Sequence, residues 1–406
     1  MKDYPKKKIL IVTPYWEPAK LQGAERVNKE IALFLSKKGF QVKVLTSDSL
    51  GVRYFRDLIK PLKVKNNYKD NYKDKKIEVI RLSHNIILGF YFYLKYKLFN
   101  FLNITDDFYL GPIIDAKLIE KFIIKNNFDI IYCAPFPLKL IKDTIDIINK
   151  LRNKTNFRKP FLIVRLEFKK NIKEFSNNTT MRLLEIADLI HVTTNSVRKI
   201  LLELFNLNKN KVILVPCFLN LDNLNLSTIL RKDVVLFKKK YNLVRKKIIL
   251  FVGTKSKSKG IFTLVKAVSN LYKKDKRWRL ITVGKNTREW IFFKIFHRYK
   301  FLLDFDYTTE RVKECFFSLC DIFCMPSIID SFGLVYLEAW HKKKAVVGAN
   351  IEPIKEIIEG NRGGLCVKWG DIKELETTLE KLFKNYKLRE QLGKNGYRAL
   401  MKKYTL

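Results

Sequence analysis

Short apolar runs alternate with amphipathic stretches along most of this chain, and the alternation starts afresh near residue 247. The opening round shows the logic. Residues 8–13 form a strand-like run, and 14–23 form a loop holding Pro14, Pro18 and Gly23. Residues 24–38 then carry Val27, Ile31 and Leu35 at helical spacing, Gly39 closes that helix, and 41–46 read as the next strand. A helix between two such strands implies a right-handed crossover and a parallel pair. Further strands are predicted at 77–82, 129–133, 160–165, 188–192 and 211–215. A second series follows at 247–252, 279–283, 321–325, 345–347 and 364–367. The fold class expected is therefore α/β, with two domains each built on a parallel sheet. The chain's 406 residues fit two domains of ordinary size, and 47% apolar residues suffice for a core in each. The polar, basic stretch 220–247 suggests the boundary, giving a first domain over 1–225 and a second over 226–388. Residues 389–406 are expected to form a C-terminal helix.

Charge is the other unusual property. Eighty Lys and Arg face 40 Asp and Glu, for a net charge of +40. Such a balance attracts anionic partners: nucleic acid, an anionic membrane surface or a phosphorylated substrate. The basic clusters at 6–8, 238–240, 245–247, 273–277 and 342–344 are scattered, as general bias in residue usage would leave them. A nucleic-acid binder concentrates charge on one module, so nucleic acid is not expected as a partner. Six cysteines show no paired spacing for a metal, and with four histidines no zinc site is expected. Several cysteines lie in apolar runs, which suggests buried reduced thiols in a cytoplasmic protein. The start of the chain lacks an apolar signal core, and no stretch approaches the roughly 18 apolar residues of a membrane span. Residues 85–105 depart from the alternation by crowding aromatic and aliphatic residues around Lys95 and Lys97. Two readings stay open: a helix buried against the first sheet, or an aromatic-basic surface that rests on a bilayer or holds a lipid tail.

The densest chemistry lies at 326–338, after the strand 321–325. Asp330 and Glu338 are separated by seven residues, and Phe332-Gly333-Leu334 turns the chain into a helix. In open α/β sheets ligands sit beyond the carboxyl ends of the strands. A helix start there offers backbone N–H groups and a positive dipole end to a phosphate, and Gly333 permits close approach. Asp330 is placed to accept hydrogen bonds from sugar hydroxyls, and Glu338 to take the two hydroxyls of a ribose. The plainer alternative is a surface acid and a helix-facing glutamate.

This stretch resembles the acid–seven residues–acid motif of the retaining family 4 glycosyltransferases (glycosyltransferase group 1), which have the GT-B fold. That family usually opens the motif with Glu-Gly, where this chain has Asp330 and Ser331; the shorter side chain withdraws the carboxylate by roughly 1.5 Å. Gly23-Ala24-Glu25-Arg26 and the helix after it are similar to the family's first loop and helix. Phe251-Val252-Gly253 and Lys259-Gly260 resemble the strand and loop that open its donor domain, and 353–367 resembles a later block of that domain. The resemblance implies two Rossmann-like domains facing across a cleft that holds a nucleotide-diphosphate sugar. It gives Gly23 the approach to the donor diphosphate and places Gly253, Ser331, Phe332, Gly333, Leu334 and Glu338 at the donor. Lys259 would neutralise the leaving diphosphate and act with Asp330 as the catalytic pair. The family's arginine after the donor-domain glycine is replaced by Thr254, leaving Lys255 as a substitute point charge. The first-domain loop 134–137 reads Ala-Pro-Phe-Pro, so no catalytic residue is expected there, and His191 is expected to be a packed or partly exposed histidine outside the site.

What the resemblance implies as activity is a hexosyl transfer with retention of configuration, with no metal and no cofactor. The acceptor would be a glycan or lipid-linked, met by a protein peripheral to the inner face of the cell membrane. Rival readings are a non-catalytic nucleotide-sugar- or glycan-binding protein and a sugar-nucleotide epimerase on the same fold. A nicotinamide enzyme is disfavoured because no Gly-x-Gly-x-x-Gly follows the first strand.

Overall fold

The structure, a computed structural model, describes residues 7–19, 23–50, 77–85, 87–91, 94, 111–167, 178–221 and 231–405. It divides into two compact units: Met1–Thr193 with Arg198–Val215, and Thr194–Val197 with Pro216–Leu406. The division thus falls earlier in the chain than the expected 225/226.

The first unit follows the predicted order. Its elements are β1 (Lys8–Val12), α1 (Gly23–Lys37), β2 (Gln41–Ser47), β3 (Ile77–Leu82), α2 (Ala116–Asn126), β4 (Ile130–Phe136), α3 (Lys139–Arg152), β5 (Phe161–Leu166), α4 (Asn178–Ile186), β6 (Leu189–Val192), α5 (Asn195–Phe205) and β7 (Val212–Leu214). The strands form one parallel sheet in the order β3-β2-β1-β4-β5-β6-β7. Strands covered on both faces read as continuous apolar runs, as in β1, where Ile9–Val12 is buried. Helix α1 buries Val27, Ala32 and Leu33, and Ala32 and Leu33 share one core cluster with Ile9, Ile11, Val42, Val44 and Trp16. Of the segment 85–105, Ile87, Leu88, Phe90, Tyr91 and Leu94 are exposed; residues 86, 92, 93 and 95–105 lie outside the described residues.

The second unit contains α6 (Arg231–Lys240), β8 (Lys247–Val252), α7 (Ile261–Lys274), β9 (Trp278–Val283), α8 (Arg288–Phe296), β10 (Leu302–Phe305), α9 (Glu310–Leu319), β11 (Ile322–Cys324), α10 (Leu334–His341), β12 (Ala345–Ala349), α11 (Ile354–Ile358), β13 (Gly364–Val367), α12 (Ile372–Lys384) and α13 (Tyr386–Lys403). Its parallel sheet runs β10-β9-β8-β11-β12-β13. Strand β10 and helix α6 are additions to the predicted set. Helix α6 lies in the stretch read as a polar boundary, yet Phe237 and the following Tyr241 pack on Phe316 of α9. Helix α13 packs on α10 and β12 of this same unit, and the chain after it pairs Leu219 N–H with the Tyr404 carbonyl.

Strand order decides where a ligand site can form. The direction of winding reverses between β1 and β4 in the first unit and between β8 and β11 in the second. Loops leaving the carboxyl ends of two such strands part to opposite faces of the sheet and open a crevice. In the second unit those loops are 253–260 and 325–333, the two segments that carry Lys259 and Asp330.

Candidate functional site

Gly260 brings the two loops of the second unit together. It stands at φ +74° between a single 3-10 turn, Lys257–Lys259, and the start of α7. A Cβ there would run into the Pro326 carbonyl, so the absent side chain allows the β11 loop to lie directly on the helix start. Hydrogen bonds complete the joint. The Ile328 N–H donates to the Ser258 carbonyl at 2.9 Å, and the Ser327 hydroxyl donates to the Ile329 carbonyl at 2.9 Å.

On this joint Lys259 meets Asp330. The Lys259 ammonium donates to Asp330 Oδ2 at 2.7 Å and to the Ile329 carbonyl at 2.8 Å. Both side chains are part-buried, at 24% and 15% exposed. An ammonium has three protons, so these two bonds leave one for a ligand, and a carboxylate has lone pairs to spare. Nearby, α7 and α10 both begin on left-handed glycines, Gly260 and Gly333, with no side-chain cap. Helices α8, α9, α12 and α13 instead start under Thr287, Thr309, Asp371 and Asn385, whose side chains accept from the first turn. The arrangement thus offers a cation, a carboxylate and the positive ends of two helix dipoles.

The remaining residues of the motif divide by what they present. Ser331 is part-exposed beside Asp330. Phe332 is buried edge-on to Tyr404, and Leu334 is also buried, so these two offer a ligand backbone and not side chain. Gly333 has φ +83°, and a Cβ would come within 2.5 Å of the Tyr336 ring. Gly253 donates its N–H to Val283, and its backbone packs against Gly284.

Two expectations are corrected. Lys255 points away from the loop surface and is fully buried. Its ammonium is occupied by Asp304 Oδ1 at 2.6 Å, the Phe305 carbonyl at 2.6 Å and Asn286 Oδ1 at 2.9 Å, which accounts for all three protons. Asp304 is shared with Lys294 and Thr282. Burial opposes its charge, but hydrogen bonds from Lys255, Lys294 and Thr282 hold it below the usual carboxylate range. Glu338 is also fully buried and accepts from Lys313 at 3.2 Å. Helix α10 is enclosed along most of its length, so the eight-residue step from Asp330 carries Glu338 inward. There it borders Glu314, which pairs with Lys342 at 2.8 Å and whose carboxyl burial pushes up. Sequence reading missed both buried ion clusters. Their signal was a charged residue amid apolar neighbours, such as Asp304 in Leu-Leu-Asp-Phe.

In the first unit Gly23 is the exposed first residue of α1, and a Cβ there would stand in open space. The start of that helix is held from below. Arg165, fully buried on β5, donates to the Ala24 carbonyl at 2.8 Å and pairs with Glu167 at 3.2 Å. Asn28 donates to Thr13 Oγ1 and to the Ala134 carbonyl, both at 2.9 Å, tying α1 to the ends of β1 and β4. The stretch 134–137, read as loop, is strand as far as Phe136. His191 is packed as expected. Its Nε2–H donates to the Val215 carbonyl at 2.7 Å, so Nδ1 accepts from the Tyr132 hydroxyl at 2.9 Å. Burial, and then the Arg165 charge, lower its pKa to about 4. Among the described residues no three His, Cys, Asp or Glu side chains gather as metal ligands, and no helix is long and apolar enough to cross a membrane.

Comparison with known proteins places these units in context. Residues 235–399, within the second unit, match the family model "Glycosyl transferases group 1". The chain is 23% identical over 162 residues to the capsular polysaccharide biosynthesis glycosyltransferase CapM of Staphylococcus aureus, covering 39% of this chain and 42% of that one. The chain spans less than half the length of the curated relatives it matches. Solved structures align almost end to end. Anabaena Alr3699/HepE in complex with UDP gives a TM-score of 0.70 at 16% identity, covering 98% of this chain and 96% of that one. Sucrose-phosphate synthase of Thermosynechococcus elongatus gives 0.72 at 16%, covering 98% and 95%. At such identities the likeness establishes the fold, which is the α/β two-domain GT-B fold.

Proposed function

We propose that this chain, which has the GT-B fold and whose second unit matches the glycosyl transferases group 1 model, is a hexosyltransferase. It would move a sugar from a nucleotide-diphosphate donor to a lipid-linked or polysaccharide acceptor of the cell envelope, with retention of configuration. The observation that carries this reading is the 2.7 Å contact of Lys259 with Asp330 at the switch point of the second sheet. In the proposed reaction the bond from the anomeric carbon to the diphosphate oxygen breaks. The bond to the acceptor oxygen forms on the same face, and the acceptor's proton passes to the departing diphosphate. The chain's part is to meet charge as it develops. Lys259 and the uncapped starts of α7 and α10 stabilise the leaving diphosphate, and Asp330 accepts hydrogen bonds from the sugar. This assignment uses lysine and helix dipoles for the leaving group, so it calls for no resident metal and no cofactor. Gly23, at the start of α1, is assigned to the donor side of the first unit. The net +40 suits an acceptor met at an anionic membrane surface by a peripheral cytoplasmic protein.

Glu338 favours one competing reading. Its enclosure by Lys313 removes a carboxylate expected at the donor, and a nucleotide-sugar-binding protein without transfer would tolerate that loss. A thermal-shift panel of nucleotide sugars, followed by transfer and donor-hydrolysis assays, separates the two. A donor present at a hundredfold its Kd should add about 2.7 kcal/mol of stability. The Lys259→Ala variant should lose transfer by on the order of a hundredfold or more. Donor binding with neither transfer nor hydrolysis supports the binding protein, and normal turnover by Lys259→Ala refutes the site.

A further inference from the structure

Helix α8 is apolar on two sides, and the fold uses one of them. Inward, Trp290 is fully buried, stacks on Phe293 with ring centroids 5.5 Å apart, and donates its indole N–H to Asp304. Phe262 of α7 meets Phe293 edge-on at 5.2 Å, and Lys294 pairs with the same Asp304 at 2.5 Å. Outward, Ile291 is 50% exposed, Phe292 64%, Ile295 66% and Phe296 67%. These four lie one turn apart in two pairs, so they share one face. The two phenylalanines alone leave roughly 250 Å² of ring in water. Monomeric soluble proteins rarely show a contiguous apolar patch beyond a few hundred Å² unless it is functional.

We propose that this face of α8 is a docking surface for an anionic lipid bilayer. The inference takes up the membrane contact of the reading above and is independent of the transfer chemistry. Charge selects the occupant. Arg288 is exposed at the head of the helix, and His297, Arg298 and Lys300 are exposed just past its end. Glu289 is the one exposed acid on the helix itself. Basic residues flanking Phe and Ile on a short helix place charge among lipid phosphates while the rings enter the acyl boundary. A second copy of the chain would bring the same basic fringe and the same net +40 to the contact, which opposes self-association. Shape points the same way, because rings two-thirds in solvent stand out from the surface as wedges. The inner face makes the wedge rigid, since Thr287 at the helix start donates to the Lys255 carbonyl at 2.6 Å and Lys294 is held by Asp304.

The test is co-sedimentation of the full chain with vesicles of phosphatidylcholine alone or mixed with phosphatidylglycerol, at low and high salt. The wild-type chain should bind the anionic vesicles, and binding should weaken with salt. A Phe292→Ser/Phe296→Ser double variant and an Arg298→Glu/Lys300→Glu double variant should each reduce the bound fraction about tenfold. Both replace exposed residues, so their thermal midpoints and nucleotide-sugar shifts should match wild type. Wild-type binding that both variants retain overturns the assignment to α8. Absence of wild-type binding to either vesicle overturns the membrane contact altogether while leaving the transfer reading intact. A concentration-dependent dimer abolished by the phenylalanine pair, with vesicle binding unaffected, identifies a second copy as the occupant and refutes the lipid proposal.

Discussion

Replacing Gly260 by alanine tests whether the joint between the two site loops rests on one missing side chain. Two costs can be read from the structure. The residue stands at φ +74°, and an L side chain in the left-handed region costs about 1–2 kcal/mol relative to glycine. The added Cβ also meets the carbonyl of Pro326, which is backbone and cannot rotate aside. Overpacking of that kind costs about 1–3 kcal/mol. The sum is about 2–5 kcal/mol. Gly370 supplies the control: its φ is +82° but a Cβ there has nothing within 4 Å, so Gly370→Ala carries the conformational cost alone. For a unit of this size the thermal midpoint moves about 2–4 °C per kcal/mol. Gly260→Ala should therefore melt roughly 10 °C below wild type and Gly370→Ala roughly 3–5 °C below, followed by circular dichroism of the full chain. Relief of the clash must push the Pro326–Asp330 loop off the start of α7 and separate Asp330 from Lys259. Displacements near 1 Å in such constellations cost about a hundredfold in rate, so transfer should fall by that order at temperatures where the variant is folded. Equal midpoints for the two alanine variants, or full transfer by Gly260→Ala, would refute the reasoning.

Two buried groups yield further predictions. His191 is held neutral down to about pH 4, whereas an unfolded histidine takes up its proton near 6.5. The unfolded state therefore binds the extra proton across that window, and about 3 kcal/mol of stability is lost as pH falls through it. Denaturant midpoints of wild type and His191→Gln should converge or cross between pH 7 and pH 4.5; a constant difference would contradict this. Lys255→Met should destabilise the second unit by about 3 kcal/mol, because Asp304 stays buried with Lys294 as its remaining cation. Calorimetric titration of the folded variant should show unchanged nucleotide-sugar affinity, and a variant stable as wild type but weak in binding would restore Lys255 to the donor site.

Lys259 and Asp330 were singled out through the family resemblance, and topology explains why their loops meet. Each residue follows a short apolar run and precedes a helix, and strand–loop–helix units place such loops at the carboxyl end of a parallel sheet. What the loops could not reveal is where each side chain turns. Lys255 lies only three residues past β8, yet it points to Asp304 on β10, a four-residue strand with a charge in its middle that escaped prediction. Glu338 was misplaced because α10 is enclosed nearly all round, and an enclosed helix has no amphipathic period to tell inside from outside. Helix α6 was hidden differently. Lys238, Lys239 and Lys240 made the stretch look like a solvated boundary, while Phe237 and Tyr241 on the other side sealed the aromatic cluster around Phe316.

These displacements sharpen the case for Lys259. With 80 basic residues in the chain, the presence of a lysine at a loop carries little information. What discriminates is how each lysine in the second unit spends its protons. Lys255 gives all three to protein acceptors in the interior, and Lys313 pairs with Glu310 and Glu338. Lys294 and Lys342 pair with Asp304 and with the buried Glu314. Such pairs are costly to desolvate and costly to break, which suits them to holding strands and helices in register. Lys259 is set apart by its place. Like Lys294 and Lys342 it is part-exposed, but its carboxylate partner comes from a loop at the switch point, and its two bonds leave one proton unassigned there. An incoming diphosphate can therefore join or displace Asp330 at Lys259 without stripping a buried charge of its only partner. Asp330 gains free lone pairs as it does so, which its proposed role of accepting from the sugar requires. Lys255 anchors the first loop to Asp304 on β10, and Lys259, four residues on, keeps a proton for a ligand.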